Sequence, residues 1–473
     1  MIELLFWFML FVVFYSYAGY GILLFVVIKF KPLKRLFFAP ANSLPNIFVK
    51  DDPYTPNVTL IISASGERSE VIKEKIQNTL NLDYPADKLE VIFALAYDTS
   101  ENVDETVEEF YNNFLKAPEH SFVSSKDEEV YVKFIDIEDM PDNRDDRVLD
   151  EIEKRLEAES FSSGDISLNA KHHLDKMSDS SRNEISILVT KDVRRKGKIS
   201  QVNRTVKKAS GEIIVFSDAN AMFNAESIKN IVKHFANTSV GVVAGEKRVK
   251  KSEDSTSGEG EGMYWKYESK LKKWDYELYS AVGAAGEIFA IRKELWDKTS
   301  PEGALIEDFV VSMQTAQMGY KIAYEPEAYA EEEPTFDLYS EYVRRRRISA
   351  GGFQSIVMLK SLLNIFYYRT LSFQYISHRV LRWAVTPFFL PLLIGVNAYL
   401  AFSSFNLLYV SIFAMQMFFY VLALVGWKLE LQHKKIKIFY FPFLLCMMNF
   451  SAYAGLKRYI RNEQKVVWER VKR

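Results

Sequence analysis

The sequence predicts an α/β domain set between membrane-spanning helices, and three observations predict it. Apolar, β-branched runs alternate with helical periodicities from residue 57 to residue 350. A charge-free apolar run, Leu4 to Ile28, opens the chain, and three more lie between Trp383 and Leu456. Strands that alternate with helices imply a mainly parallel sheet, which binds ligands at the carboxyl ends of its strands.

The opening run is long enough to cross a bilayer, and Lys29, Lys31, Lys34 and Arg35 follow it. A cleavable signal would be shorter and preceded by positive charge, whereas the only early charge is Glu3. The expectation is an uncleaved anchor over residues 1–30 with its carboxyl end in the cytoplasm. Trp383–Phe402, Phe405–Trp427 and Ile438–Leu456 are further candidate spans, flanked by Arg379, Arg382, Lys428, Lys434, Lys435 and Lys437 on the expected cytoplasmic side. The tail over 457–473 breaks that pattern, since its seven Lys and Arg would lie outside after a single last crossing. Either that segment re-enters or one of the three lies in the interface.

Composition narrows the function. The 473 residues are 48% hydrophobic, enough for a large core, and a formal charge of -2 argues against a nucleic-acid binder. The single cysteine, Cys446, excludes an intrachain disulfide and a thiolate metal site. Prolines 32, 40, 45, 53 and 56 mark residues 31–56 as an extended linker.

Within the domain expected over 57–353, the strand VTLIISAS leads into a helix through Val71, Ile72, Ile76 and Leu80. LEVIFALAY (89–97) and GEIIVFSD are the next strands, followed by a helix from Ser227 to Phe235 and a short strand from Gly241 to Ala244. An acidic stretch at about 116–190 interrupts the alternation, with one amphipathic helix through Val148, Ile152 and Leu156. Ser65, Gly66 and Glu67, Asp98, and Asp218 all fall at carboxyl ends of predicted strands.

Asp218 follows the apolar run Ile213–Phe216, where a carboxylate is costly, and Asn220 comes two residues later. Two oxygen ligands separated by one residue suit a hard cation and a diphosphate. A strand ending in a helix cap at Asn220 or Asn224 is the other reading of the same residues.

Taken in order, these motifs resemble the family 2 glycosyltransferases, in particular membrane-embedded bacterial members related to cellulose, hyaluronan and poly-N-acetylglucosamine synthases. The resemblance covers residues 57–355 and the flanking membrane segments, and implies a GT-A domain with a Rossmann-like mixed sheet. Ser65 and Glu67 fall where the family's first strand meets the nucleotide, with Gly66 replacing an Asn. LDYP (82–85) precedes the second strand, and Asp98 takes the place of the carboxylate that holds the base or ribose. GKISQVN (197–203) resembles a motif whose lysine, here Lys198, sits near the nucleotide. Asp218 and Asn220 occupy the Asp-x-Asp positions that bring Mg²⁺ or Mn²⁺ to the diphosphate, with one negative charge fewer. Gly283 and Gly286, in AVGAAGEIFAIRKELW, fall in the acceptor segment. In ALIEDFVVSMQTAQMGYKIAYEPEA, Glu307 precedes Asp308, the family's general base. In RRRRISAGG (344–352), Arg347 falls on the arginine that clamps the diphosphate, and Ile348 replaces the tryptophan of processive members.

The resemblance therefore implies an inverting, metal-dependent transfer from a nucleotide sugar, most simply a UDP-sugar, to a polysaccharide or lipid-linked glycan. The site would lie at the cytoplasmic face of the plasma membrane, beside an interfacial helix at Leu359–Tyr368 within residues 354–380. Membrane lipids and export subunits are its implied partners, and no nucleic acid. The alternative from another class is a silent subunit that binds nucleotide or glycan, which Asn220 and Ile348 favour.

Overall fold

The computed structural model describes residues 1–30, 32, 44–48, 54–64, 67–95, 129–134, 184–191, 198–250, 257–299, 303–333, 338–432, 434 and 436–463. Ser65, Gly66, Asp98 and the helix expected through Val148, Ile152 and Leu156 lie outside the described residues, as does most of the linker.

Among the described residues, nine strands form one sheet in the order β3-β4-β2-β1-β5-β8-β7-β9-β6, which organises the domain. Its strands are β1 (Val58–Ala64), β2 (Leu89–Leu95), β3 (Glu129–Phe134), β4 (Glu184–Lys191), β5 (Ile213–Asp218), β6 (Met222–Phe223), β7 (Val240–Val249), β8 (Ile288–Arg292) and β9 (Lys321–Glu332). β1 is buried at every position, because helices cover both sheet faces and leave no solvated side for polar alternation.

On one face, α2 (Ser69–Leu80) and α4 (Ser227–Val232) press Ile72, Ile76, Ile228 and Ile231 onto Leu60, Ile62, Phe93 and Val215. On the other, α3 (Lys198–Lys208), α6 (Lys293–Thr299) and α7 (Glu307–Gln317) bring Val202, Val206, Trp296 and Val310 against Ile61, Ile92 and Ile214. A long helix, α5 (Ser257–Leu278), leads from the edge of the sheet towards the membrane helices.

The sheet is mixed, as the resemblance implies: β8 runs antiparallel to both of its neighbours, β5 and β7, in the middle of an otherwise largely parallel array. One expectation needs correction: the acidic insertion is not simply an interruption, since β3 and β4 within it extend the sheet parallel to β2. β7 and β9 also run well beyond the short segments that apolar content suggests, pairing as far as Val249 and Glu332.

Among the described residues, four helices are long and apolar enough to cross a membrane: α1 (Ile2–Lys29), α9 (Thr370–Ser403), α10 (Leu407–Leu431) and the helix over Ile438–Ile460. The last belongs to α11 (Lys437–Ile460), and α8 (Leu338–Met358) links the sheet to this group. Leu359–Tyr368 forms two short turns, with Phe366 91% exposed. The beginning of α9 is part of the domain core, because Leu371 and Tyr375 pack in the same cluster as α7.

Candidate active site

β5 ends at Asp218 beside the carboxyl end of β1, where Ala219 N–H donates to the Ser63 carbonyl at 3.0 Å. The first residue of α3, Lys198, reaches this strand end. Its Nζ donates to Asp218 Oδ1 at 2.6 Å and lies 3.4 Å from Glu307 Oε1, at the start of α7. Asp308 follows Glu307, and Gly286 lies beside both Asp308 and Lys198: a Cβ placed there would stand 3.5 Å from Asp308 Oδ2 and 3.6 Å from Lys198 Nζ. Strand end, two helix starts and a turn thus converge on one small volume, with Lys198, Asp218, Gly286, Glu307 and Asp308 around it.

The charges do not cancel evenly. Burial opposes the Lys198 ammonium, but the carboxylates of Asp218, Glu307 and Asp308 outweigh it and hold the lysine well above its usual range. For Asp308, burial and the like charge of Glu307 act together against Lys198 and push it up to about 7. A carboxylate poised there can accept a proton near neutral pH, as an ordinary aspartate cannot.

Two residues that sequence reasoning missed shape this site from below. Lys75, fully buried on α2, donates to Ser217 Oγ at 2.8 Å and to the Ala221 carbonyl, and its ammonium lies 4.3 Å from the Phe223 ring centroid. One turn on, Asn78 clasps Phe223 by both backbone groups: Nδ2 donates to its carbonyl at 2.7 Å, and Oδ1 accepts from its N–H at 2.8 Å. Between them they hold the Ser217 side chain before Asp218 and the backbone of Ala221 and Phe223 after Asn220. Burial brings Lys75 down to about 7, although Asp218 and Glu332 pull the other way. A signal was present: Ile72, Lys75, Ile76 and Thr79 share one helical stripe, so a lysine stands in the face that enters the core.

At the sheet edge, Lys247 on β7 pairs with Glu287 and, at 2.6 Å, with Glu332. Burial would raise Glu287, but the Lys247 charge and hydrogen bond outweigh it and bring it to about 2. The arginine-rich helix α8 meets this edge through Arg344, whose charge acts on both Lys247 and Glu287. Arg347 is half-buried on the same helix, next to the exposed Ile348. Glu67 is half-buried beyond β1, and Asn220 half-buried beyond β5.

Gly283 has a local task. Its φ is +84, and a Cβ there would come within 2.2 Å of Phe309 Cδ2. Phe309, the neighbour of Asp308, packs in turn against Trp383 of α9, with ring centroids 5.0 Å apart. The turn, the start of α7 and a membrane helix are therefore locked together. Behind them, His378 Nδ1 lies 2.6 Å from Asp275 Oδ2, and its Nε2 lies 3.0 Å from Glu268 Oε1. Arg379 and Arg382, expected as flanking cytoplasmic charges, turn inward onto Glu268 at 2.6 and 2.8 Å. Tyr20 of α1 donates to Asp275, so the cluster ties α1, α5 and α9 to one another.

Among the described residues no group of three or more His, Cys, Asp or Glu side chains could hold a metal ion. Asp218 nonetheless keeps one carboxylate oxygen beyond the one that Lys198 engages, and Asn220 carries an amide oxygen two residues on. That donor set fits a cation carried in by a diphosphate, which needs only one or two protein ligands.

A sequence model described as glycosyl transferase family group 2 matches residues 213–427, from β5 through most of α10. The chain is similar over 98% of its length to the whole of a mannosyltransferase, PcManGT, from Pyrobaculum calidifontis, solved with GDP-Man and Mn²⁺, at 19% identity and a TM-score of 0.61. The chain has the GT-A fold, and from β5 onward it matches the family 2 glycosyl transferase model. Weaker likenesses are to GalNAc-T7 with UDP, GalNAc and Mn²⁺ (13% identity, TM-score 0.38, 72% of this chain and 62% of that one) and to S. aureus TarS 1-349 (13%, 0.36, 86% and 92%). No curated protein matches the sequence. The family match includes Asp218, Asn220, Gly283, Gly286, Glu307, Asp308 and Arg347, while Lys75 and Lys198 come from the part before it.

Proposed function

We propose that this glycosyltransferase transfers a sugar from a nucleoside diphosphate sugar to a hydroxyl of a membrane-held glycan or lipid-linked acceptor, with inversion at the anomeric carbon. The observation that carries the reading is the position and ionisation of Asp308. It stands beside Gly286 near Lys198, which is itself bonded to Asp218, and burial with the like charge of Glu307 pushes its carboxyl up to about 7.

In the proposed step the Asp308 carboxylate takes the proton of the acceptor hydroxyl as that oxygen attacks the anomeric carbon. The bond from this carbon to the diphosphate oxygen breaks, and the electron pair leaves with the nucleoside diphosphate. Lys198 lies where it can share its ammonium between Asp218 and the departing diphosphate. Asp218 and Asn220 are the residues to hold a divalent cation, which supplies charge neutralisation to the leaving group when bound. Glu307 helps to keep Asp308 basic through its like charge. Gly283 and Gly286 form the turn on the acceptor side, and Ser65, Glu67, Asp98 and Arg347 are assigned to the nucleotide and its phosphates by resemblance to the family. Support for a membrane-held acceptor comes from Phe309, packed on Trp383 of α9 beside the base.

The test is release of nucleoside diphosphate by the purified full chain from a panel of UDP- and GDP-sugars, with and without Mn²⁺. Asp308→Asn should lower turnover about 100- to 10,000-fold with donor binding retained. Normal turnover in that variant would remove the base assignment, and no release from any donor would favour a silent binding subunit.

A further inference from the structure

The basic end of α11 poses a question of placement that contacts among the membrane helices answer. Asn397 of α9 donates to Gln416 of α10 at 3.2 Å, which sets these two helices in register. Pro387 and Gly426 each lie ten residues from that link, 397 − 387 and 426 − 416, in the direction of the sheet domain. They therefore stand at the same depth, about 15 Å from the link at 1.5 Å per residue.

α11 touches both points. A Cβ on Gly426 would meet the Phe439 carbonyl oxygen at 2.2 Å, and Tyr453 donates to the Pro387 carbonyl at 2.8 Å. The two α11 residues are fourteen apart, 453 − 439, which is about 21 Å of helix. A helix climbing beside α10 would lift Tyr453 that far towards the opposite side. Other contacts repeat the level: Tyr17 of α1 donates to Asn449 at 2.8 Å, and Ser16 meets Thr386 at 2.9 Å.

The far end of α11 then lies against the domain. A Cβ on Gly455 would come within 2.5 Å of Ser349 Cβ on α8. α8 is bound in its turn to the segment leading into α7, because Gln354 accepts from Leu305 N–H at 2.9 Å and donates to the Gly303 carbonyl at 3.0 Å. One helix thickness, roughly 8–10 Å, separates α11 from the residues preceding Glu307. A crossing would require about 30 Å.

We propose that α11 is not a fourth crossing but lies on the lipid surface at the side of the sheet domain. Its exposed apolar residues Ile438, Phe441, Phe450 and Ile460 enter the boundary between headgroups and acyl chains. Lys457, Arg458 and Arg461 then stand at anionic headgroups on the catalytic side, and the charge asymmetry left open by four crossings disappears. Among the described residues three helices then cross: α1, α9 and α10. Because α11 also buttresses α8, the lipid surface acts on the segment that positions the start of α7.

The experiment does not depend on the reaction assigned above. Cys446 is the only cysteine, so Cys446→Ser gives a background for single-cysteine variants of the full chain. Lys298→Cys marks the sheet domain, Ser403→Cys marks the turn between α9 and α10, and Glu463→Cys reports the end of α11. Sealed vesicles of both orientations are treated with a membrane-impermeant maleimide. Glu463→Cys should react from the side of Lys298→Cys and opposite to Ser403→Cys; reaction from the Ser403 side, or equally from both, overturns the proposal. Should Glu463→Cys fail to insert, Arg461→Cys asks the same question.

Discussion

Lys198 Nζ and Asp218 Oδ1 lie 2.6 Å apart, joining the start of α3 to the end of β5 across twenty residues of chain. This pair changes the meaning of Asp218. Its carboxylate is already half engaged by an ammonium, so a donor diphosphate would enter a pocket in which cation and carboxylate stand side by side. Recognition then rests on sharing Lys198, which suits a ligand that arrives with its own divalent cation.

The elevation of Asp308 sets a pH dependence. A carboxyl raised to about 7 keeps its proton below that value, and only the ionised form can act as a base. The rate should fall about tenfold per pH unit below about 7 and reach a plateau above it. A profile of kcat/KM that stays flat from pH 5 to about 8, measured with saturating metal, would contradict the assignment.

Lys75 and Asn78 should act through the Ser217 side chain before Asp218 and the backbone of Ala221 and Phe223 after it. Lys75→Met removes the ammonium that binds Ser217 and Ala221, and Asn78→Ala leaves both backbone groups of Phe223 without that partner. Either change should cost about 1–3 kcal/mol of stability. It should raise donor KM by about tenfold with kcat less affected, as expected for a shifted binding loop. Titrating nucleoside diphosphate into each variant by calorimetry separates this from a general loss of fold, and unchanged affinity in both would deny them a positioning role.

His378 joins Asp275 and Glu268 inside the protein, where truncation strands buried carboxylates. Burial alone would raise Glu268, but Arg379, His378 and Arg382 outweigh it and hold it well below the usual range. His378→Leu should destabilise the protein by about 3–5 kcal/mol, seen as a lower Tm in detergent. A Tm equal to wild type would show that the cluster is not what holds α5 to α9.

Gly283 at φ +84 faces the Phe309 ring, so Gly283→Ala meets both backbone strain and a clash. A loss of at least about 1–2 kcal/mol is expected from the backbone alone. Circular dichroism melts with activity on the same samples would show whether the turn moves α7 as well.

Much of the molecule was legible because local pattern carries it. Ile213–Phe216 had to be a buried strand, Glu307 and Asp308 had to open a helix, and the apolar runs had to be long helices. Which strand runs against the others was not legible in local pattern, because β8 has the same apolar composition whichever way it runs. Nor were β3 and β4, whose acidic surroundings hide strands stabilised by partners far along the chain. Lys75 was overlooked since a lysine in a helix is ordinarily solvated, and only its burial beneath Ala221 gives it a task.

By itself, the sequence determined which residues could supply the chemistry: an aspartate at a strand end, an acidic pair at a helix start, a lysine ahead of both. Periodicity and residue type are local properties, and they need no knowledge of neighbours. Only the tertiary structure decided that Lys198, Asp218 and Glu307 meet, that Asp308 stands beside them, and that α11 reaches Pro387 and Ser349. Those outcomes depend on distances between segments remote in the chain, which are set by packing two helix layers on one sheet and by the depth at which helices contact one another.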